Sequence, residues 1–194
     1  MVYMICGKAR SGKDTFGEYL KEELESRGKK VCTVHLVNSL KDMIYHYFGW
    51  DGNDETKPRE LLQRLGTDII RNKMHKDMFF INRTLEDMEI LSEFYDTFII
   101  PDCRLPIEIK SIKYKYPDTK VIKVIRDGFE SNLSDTEKAH ITETALDNYA
   151  DFDYYIHNTT LEKLEEDAKK IAKENDWYEI YDTYGNKKHV AKLL

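Results

Sequence analysis

Gly7-Lys8-Ala9-Arg10-Ser11-Gly12-Lys13 stands between an apolar run, Val2 to Cys6, and an amphipathic stretch that opens at Lys13. The spacing is G-x-x-x-x-G-K, and a strand before it with a helix after it is the context that gives the spacing meaning. The glycines let the backbone curl until successive N–H groups point at one anion. The helix start adds positive potential. Lys13 places a charge between the β- and γ-phosphates of a bound nucleotide. The blander alternative is a tight strand-to-helix turn with a surface lysine, and the flanking pattern argues against it. Gly7, Arg10, Ser11, Gly12, Lys13, Asp14 and Thr15 are therefore expected to contact ATP. One position departs from the pattern: Asp14 follows Lys13 where Ser or Thr is usual, and Thr15 comes one residue later. Asp14 then has two readings, a Mg²⁺ ligand acting directly or through water, or a cap on the helix.

Outward from this loop, strands and helices alternate. Val2 to Cys6 reads as a buried strand. Lys13 to Arg27 carries Phe16, Leu20 and Leu24 at helical spacing, with Gly28 just past the end. Further strands are expected at Val31 to Val37, Thr97 to Ile100, Lys120 to Ile125 and Phe152 to Ile156. Helices are expected at Ser39 to Phe48, Arg59 to Arg71, Asp77 to Ser92 and Leu105 to Tyr116. Thr159-Thr160-Leu161-Glu162 has capping-box spacing and opens a last helix to about Glu174. Such alternation predicts a three-layer α/β fold of the P-loop NTPase kind, with a parallel five-stranded sheet and helices on both faces. Two stretches break the rhythm. Arg126 to Asn148 is long and polar, which marks a functional or disordered loop. Trp177 to Leu194 alternates aromatic and polar residues around Tyr184-Gly185-Asn186 and reads as a hairpin. The expected organisation is a kinase domain over 1–175, with a lid at about 127–148, and a tail over 176–194.

Composition narrows the partners. The chain has 194 residues, 41% apolar and 34% charged, with a net charge of −6. That length suits one domain able to bury roughly 70% of its unfolded surface. No basic face marks a nucleic-acid polymer as partner. No apolar run approaches the ~20 residues of a membrane span, and no basic region precedes the N-terminal apolar stretch as in a signal peptide. Cys6, Cys32 and Cys103 form no C-x-x-C pair and read as reduced thiols in a cytoplasm. A homodimer stays open. His35, His46, His75, His157 and His189 show no metal-ligand spacing.

Phe98-Ile99-Ile100-Pro101-Asp102 is an apolar strand that ends in a carboxylate. In a parallel sheet the carboxyl ends of the strands share one crevice, so Asp102 is placed to hold Mg²⁺ through its waters. Arg104 follows by two residues and has the planar guanidinium that grips a phosphate by two hydrogen bonds. The alternative is a helix cap at Asp102 and a solvated Arg104.

These residues together resemble the deoxynucleoside monophosphate kinases of phages and bacteria, whose phosphate loop also carries Asp after the lysine. Ser39-Leu40-Lys41-Asp42 resembles the small-residue, leucine, lysine, acid turn of that family. Leu61-Leu62-Gln63-Arg64-Leu65-Gly66-Thr67-Asp68 resembles its L-x-Q-x-L-G-T-acid segment, and Pro101-Asp102-Cys103-Arg104 resembles its P-D-T-R with Cys for Thr. Val124-Ile125-Arg126 and His140-Ile141-Thr142-Glu143 resemble its V-x-R strand end and its H-x-S/T-E signature. The likeness spans roughly residues 1 to 172. It implies an ATP- and Mg²⁺-dependent kinase that phosphorylates a deoxynucleoside monophosphate. Lys13, Asp102, Arg104 and Arg126 would be catalytic, with Asp14 and Asp102 at the metal. Lys41, Gln63, Thr67, Asp68, Arg104, His140 and Glu143 would meet the acceptor. Animal-type phosphomevalonate kinases share much of this, since Glu143 to Asn148 and Asp151-Phe152-Asp153 look like their E-x-x-L-D-N and D-F-D segments. A phosphomevalonate-type or other small-molecule kinase therefore stays open, as does a non-catalytic nucleotide-binding switch.

Overall fold

Alternate residues of the first strand, β1 (Val2–Cys6), go to different layers. Val2, Met4 and Cys6 join one buried cluster, and Tyr3 and Ile5 join another. A strand buried on both faces is what a central parallel strand requires. The first cluster gathers Ile81 and Met88 of α4 (Phe79–Leu91) with Ile109 and Ile112 of α5 (Pro106–Lys115). The second gathers Phe16, Leu20 and Leu24 of α1 (Lys13–Ser26) with Leu164, Ala168 and Ile171 of α8 (Leu161–Glu174). Helices thus cover both faces, and the chain is the expected three-layer α/β sandwich.

This computed structural model describes residues 1–129 and 134–175, together with the backbone of 177–181 and 187–191. The remaining strands of the large sheet are β2 (Val31–Thr33), β3 (Thr97–Cys103), β4 (Lys120–Ile125) and β5 (Tyr154–His157). Their order is β2-β3-β1-β4-β5, every pair parallel, consistent with a P-loop fold. The chain moves to one side of β1 for β2 and β3 and to the other for β4 and β5. The crevice of such a sheet lies at that reversal, beside the carboxyl end of β1.

Local chemistry sets the element ends. Gly28 takes a φ of 83° just beyond α1. Its N–H and that of Lys29 close on Glu25 and Leu24 carbonyls at 2.9 and 3.1 Å, a Schellman stop. Several expectations need correction. β2 ends at Thr33 rather than Val37, and the chain turns before α2 (Asn38–Phe48). The single helix expected over Arg59 to Arg71 is a short α3 (Arg59–Gln63) continued by a π-helical stretch, Arg64–Lys73. β3 runs on through Pro101 and Asp102 to Cys103, and β5 starts at Tyr154 rather than Phe152. The cap of α8 is Thr160, whose hydroxyl accepts from the N–H of Lys163, so the capping box read from Thr159 does not form. The long polar stretch after Arg126 contains α6 (Asp135–Ala139) and α7 (Ile141–Thr144), and its residues 130–133 lie outside the described ones. In the tail, β6 (Trp177–Tyr181) and β7 (Lys187–Ala191) pair antiparallel as a separate sheet. The turn read at Tyr184-Gly185-Asn186 lies outside the described residues.

Candidate active site

The loop between β1 and α1 is shaped by what glycine lacks. A Cβ on Gly7 would stand 2.7 Å from the Val124 carbonyl oxygen and 2.5 Å from Ser11 Oγ. Gly12 has φ of 93°, and a Cβ there would meet Asn158 Nδ2 at 2.2 Å. Asn158, just after β5, donates that Nδ2 hydrogen to the Ser11 carbonyl at 2.9 Å and so fixes the loop from below. Ser11 Oγ is buried with no hydrogen-bond partner among the described residues. Lys13 is only 6% exposed, with Nζ 3.5 Å from Asp14 Oδ2. Burial pulls the Lys13 ammonium below the usual lysine value, the Arg104 cation adds to this, and Asp14 and Glu143 oppose it. A buried lysine short of counter-charge favours an incoming anion. Asp14 does not cap α1: the cap position is Gly12, with no side-chain cap bond, and the Asp14 side chain is 73% exposed.

The next wall comes from β3. Asp102 is not the cap of α5; its two carboxylate oxygens accept from the N–H groups of Leu36 and Val37 at 3.0 and 3.1 Å, with His35 Nδ1 at 3.8 Å. It thereby fixes the turn that leads into α2. Arg104 is not a solvated surface residue. Its Nη1 donates to the Gly7 carbonyl at 3.0 Å and lies 2.9 Å from Glu143 Oε1. Glu143, on α7, also accepts from the N–H of Ala9 at 3.0 Å. Lys8 Nζ and Asp147 make a second link at 3.1 Å, more exposed. The segment carrying α7 is therefore drawn onto the glycine loop by two carboxylates.

Beyond Lys13 opens a cleft of about 640 Å³. Ala9, Arg10, Lys13 and Asp14 of the loop region line it, with Asp102 and Arg104 from the end of β3. Lys41, Gln63 and Thr67 also line it, with Lys57, Arg59 and Arg71. The sequence reading missed Arg71. Its guanidinium sits 4.9 Å over the Phe80 ring, Nη1 donates to the Gly66 carbonyl at 3.4 Å, and Nη2 pairs with Glu108 Oε1 at 3.4 Å. Arg71 Nε is buried with no hydrogen-bond partner among the described residues. Glu108 is 3% exposed and accepts from the N–H groups of Arg104 and Leu105 at 2.7 and 2.9 Å. Burial raises its carboxyl above the usual value, against those two N–H groups and Arg71. Arg71 and Glu108 are 37 residues apart, and neither belongs to a motif, so no local signal announced the pair.

Not every expected residue reaches the cleft. Asp68 is exposed and does not line it. Thr15 is half-buried and lines neither this cleft nor its neighbour. His140 serves as the cap of α7, with Nδ1 2.9 Å from Thr142 Oγ1 and accepting from the Thr142 N–H at 3.3 Å. Arg126 is exposed, lies 4.3 Å over the Phe129 ring, and borders a second cavity of about 340 Å³ on the β4 side of the loop. Glu143 meets Arg104 rather than this arginine.

The fold is a parallel α/β sandwich with a cleft beside its glycine loop, and comparison with known proteins gives its family. The family model for deoxynucleotide monophosphate kinase matches residues 24–170, and the chain belongs to that family. The match begins after the glycine loop, so the loop is a separate observation. Over 150 residues the chain is 31% identical to the deoxynucleotide monophosphate kinase of Enterobacteria phage T4, covering 77% of this chain and 57% of that protein. Over 122 residues it is 31% identical to the corresponding kinase of Escherichia phage RB69, covering 62% and 47%. The chain thus spans about half the length of the curated relatives it matches. An unliganded sugar kinase from Janibacter sp. HTCC2649 overlays at TM-score 0.46 and 13% identity, covering 87% of this chain and 92% of that one, too distant a likeness to inform the site.

Proposed function

We propose that this protein transfers the γ-phosphoryl group of ATP to a deoxynucleoside monophosphate, giving the diphosphate and ADP. The observation that carries the reading is one cleft lined both by Lys13 beside the glycine loop and by Lys41 and Arg71 from distant elements. Membership of the deoxynucleotide monophosphate kinase family favours a nucleotide acceptor over phosphomevalonate.

An acceptor phosphate is mostly dianionic at neutral pH, since its second pKa is about 6. It attacks the γ-phosphorus without a strong general base, so positioning and charge neutralisation carry the rate. The N–H groups of the loop and Lys13 hold the donor phosphates. Arg71 and Lys41, which line the cleft, hold the acceptor phosphate. Arg104 ties the loop to Glu143 and keeps positive charge between the two sides. Residues 134–148 act as a lid, drawn onto the loop by Glu143 and Asp147, and exclude water as a competing acceptor. Arg126 is a further cation, beside the second cavity with Lys8 and Lys123.

Among the described residues no cluster of three or more His, Cys, Asp or Glu is set to hold a metal. Mg²⁺ needs no such cage, because it binds through one or two carboxylates, waters and substrate phosphates. Asp14, exposed on the cleft, and Asp102 at its base fit that mode. The ion would neutralise charge developing on the phosphates. Among the described residues no helix is long and apolar enough to cross a membrane. With three free cysteines, we infer that the protein works in a reducing cytoplasm.

A coupled ADP-release assay over the deoxynucleoside monophosphates, with 5-phosphomevalonate and free nucleosides included, tests the proposal. Turnover is expected with at least one deoxynucleoside monophosphate. Turnover confined to 5-phosphomevalonate or to unphosphorylated nucleosides would overturn it. Nucleotide binding without turnover on any acceptor would favour a switch.

A further inference from the structure

Cys6 and Cys103 are register partners on neighbouring parallel strands. In an unbroken ladder they would not face the same layer. β1 and β3 pair residue for residue as far as Met4 and Ile100, and the next pair is Cys6 with Cys103, a step of two residues against three. The extra residue is a bulge at Pro101-Asp102, without which Cys103 would turn to the α1 side of the sheet. With the bulge, both cysteines stand in the cluster beneath α4 and α5. Adjacent strands lie about 4.8 Å apart, inside the Cα separation of about 4.4–6.8 Å that a disulfide spans.

The pair also has a route to reagents. Both residues border the cavity of about 340 Å³ on the β4 side of the loop, with Lys123, Leu146 and Phe152. Their own exposures are 1% and 0%, so only a small neutral oxidant fits. Each is followed by a residue of the site. Gly7 comes after Cys6 and Arg104 after Cys103, and Arg104 donates to the Gly7 carbonyl. A covalent link between the cysteines would pull on both ends of that bond.

We propose that Cys6 and Cys103 form an oxidisable dithiol that a peroxide closes into an intrachain disulfide, distorting the glycine loop and weakening nucleotide binding. One thiol attacks the peroxide; the O–O bond breaks, the sulfur loses two electrons to become a sulfenic acid, and water leaves. The second thiol attacks that sulfur, the S–S bond forms, and a second water leaves. Overall, two thiols and one hydrogen peroxide give one disulfide and two waters. Closing the link brings the two sulfurs to about 2.05 Å.

The test treats the full chain with stoichiometric hydrogen peroxide, alkylates the remaining thiols and maps peptides by mass spectrometry without reduction. The expected result is a peptide pair linked through Cys6 and Cys103, with Cys32 alkylated. ATP affinity measured by calorimetry should fall at least tenfold and recover with dithiothreitol. Cys103→Thr, or Cys6→Ala if the first variant folds poorly, should keep its ATP affinity after peroxide. Sulfinic or sulfonic acid with no linked peptide would overturn the proposal, and so would a linked chain that binds ATP like the reduced one. The linked peptide is read without reference to the kinase reading, whereas a reduced chain that binds no ATP would count against that reading alone.

Discussion

The two sides of the cleft work by different means. On the loop side the structure is made by backbone: Gly7 and Gly12 sit where a Cβ would collide with Val124 and Asn158, and the Ala9 N–H donates to the Glu143 carboxylate. On the opposite side it is made by long side chains brought from distant elements. Arg71 of the π-helical stretch leans on Phe80 of α4 and pairs with Glu108 of α5. A backbone cradle needs particular residues at fixed local offsets, whereas a side-chain wall needs only that distant elements meet. The first kind of site is rigid and generic for phosphates. The second can differ between acceptors while the sheet stays the same.

This contrast can be broken in several ways. The largest effect belongs to the loop. Lys13→Ala should lower turnover on the order of 10³-fold, as for other charged phosphate contacts, with thermal unfolding little changed. Near wild-type turnover would remove the loop from the chemistry. On the other wall, Glu108→Ala should act first on stability. It leaves Arg71 and two N–H groups without their buried partner, and breaking such a pair costs about 3 kcal/mol. Denaturant titration reads this directly, and a loss under about 1 kcal/mol would mean that the pair is solvated.

A smaller effect sharpens the electrostatics of the loop. Lys13 is held below its usual value in the free protein, and a bound polyphosphate would raise it. Between those two values, binding takes up a proton, so ATP affinity should fall as pH rises through the lowered free-protein value, by at most about tenfold per pH unit. Calorimetry in buffers of different ionisation heat measures the uptake, and proton release on binding would contradict it. The smallest effect is expected at Asp147→Ala. Its contact with Lys8 is half exposed, and such pairs contribute less than about 1 kcal/mol, so unfolding midpoints should barely move.

The same contrast explains what the sequence disclosed. The loop was legible because its glycines, its lysine and the flanking strand and helix lie within one short stretch. Asp102 and Arg104 were legible as residues at a strand end. Their partners were not, because Leu36, Gly7 and Glu143 come from elsewhere in the chain. Gln63, Thr67 and Asp68 are spaced i, i+4 and i+5, which on an α-helix shares one face. The π-helical stretch, closed by the Met74 N–H on the Ile69 carbonyl, changes the angle per residue, and Asp68 turns out to solvent while Thr67 stays buried. The Cys6–Cys103 pair depended on a bulge, and an extra residue in one strand shows only when its partner strand is known.

The division of labour between the walls is tested most directly at Arg71. Lysine keeps the charge but not the forked geometry. Titration calorimetry of Arg71→Lys with a deoxynucleoside monophosphate and, separately, with ATP should show the acceptor Kd raised tenfold or more, since one charge-assisted contact contributes roughly 1.5–3 kcal/mol, and the ATP Kd unchanged. A raised ATP Kd with an unchanged acceptor Kd would contradict the assignment of the two walls.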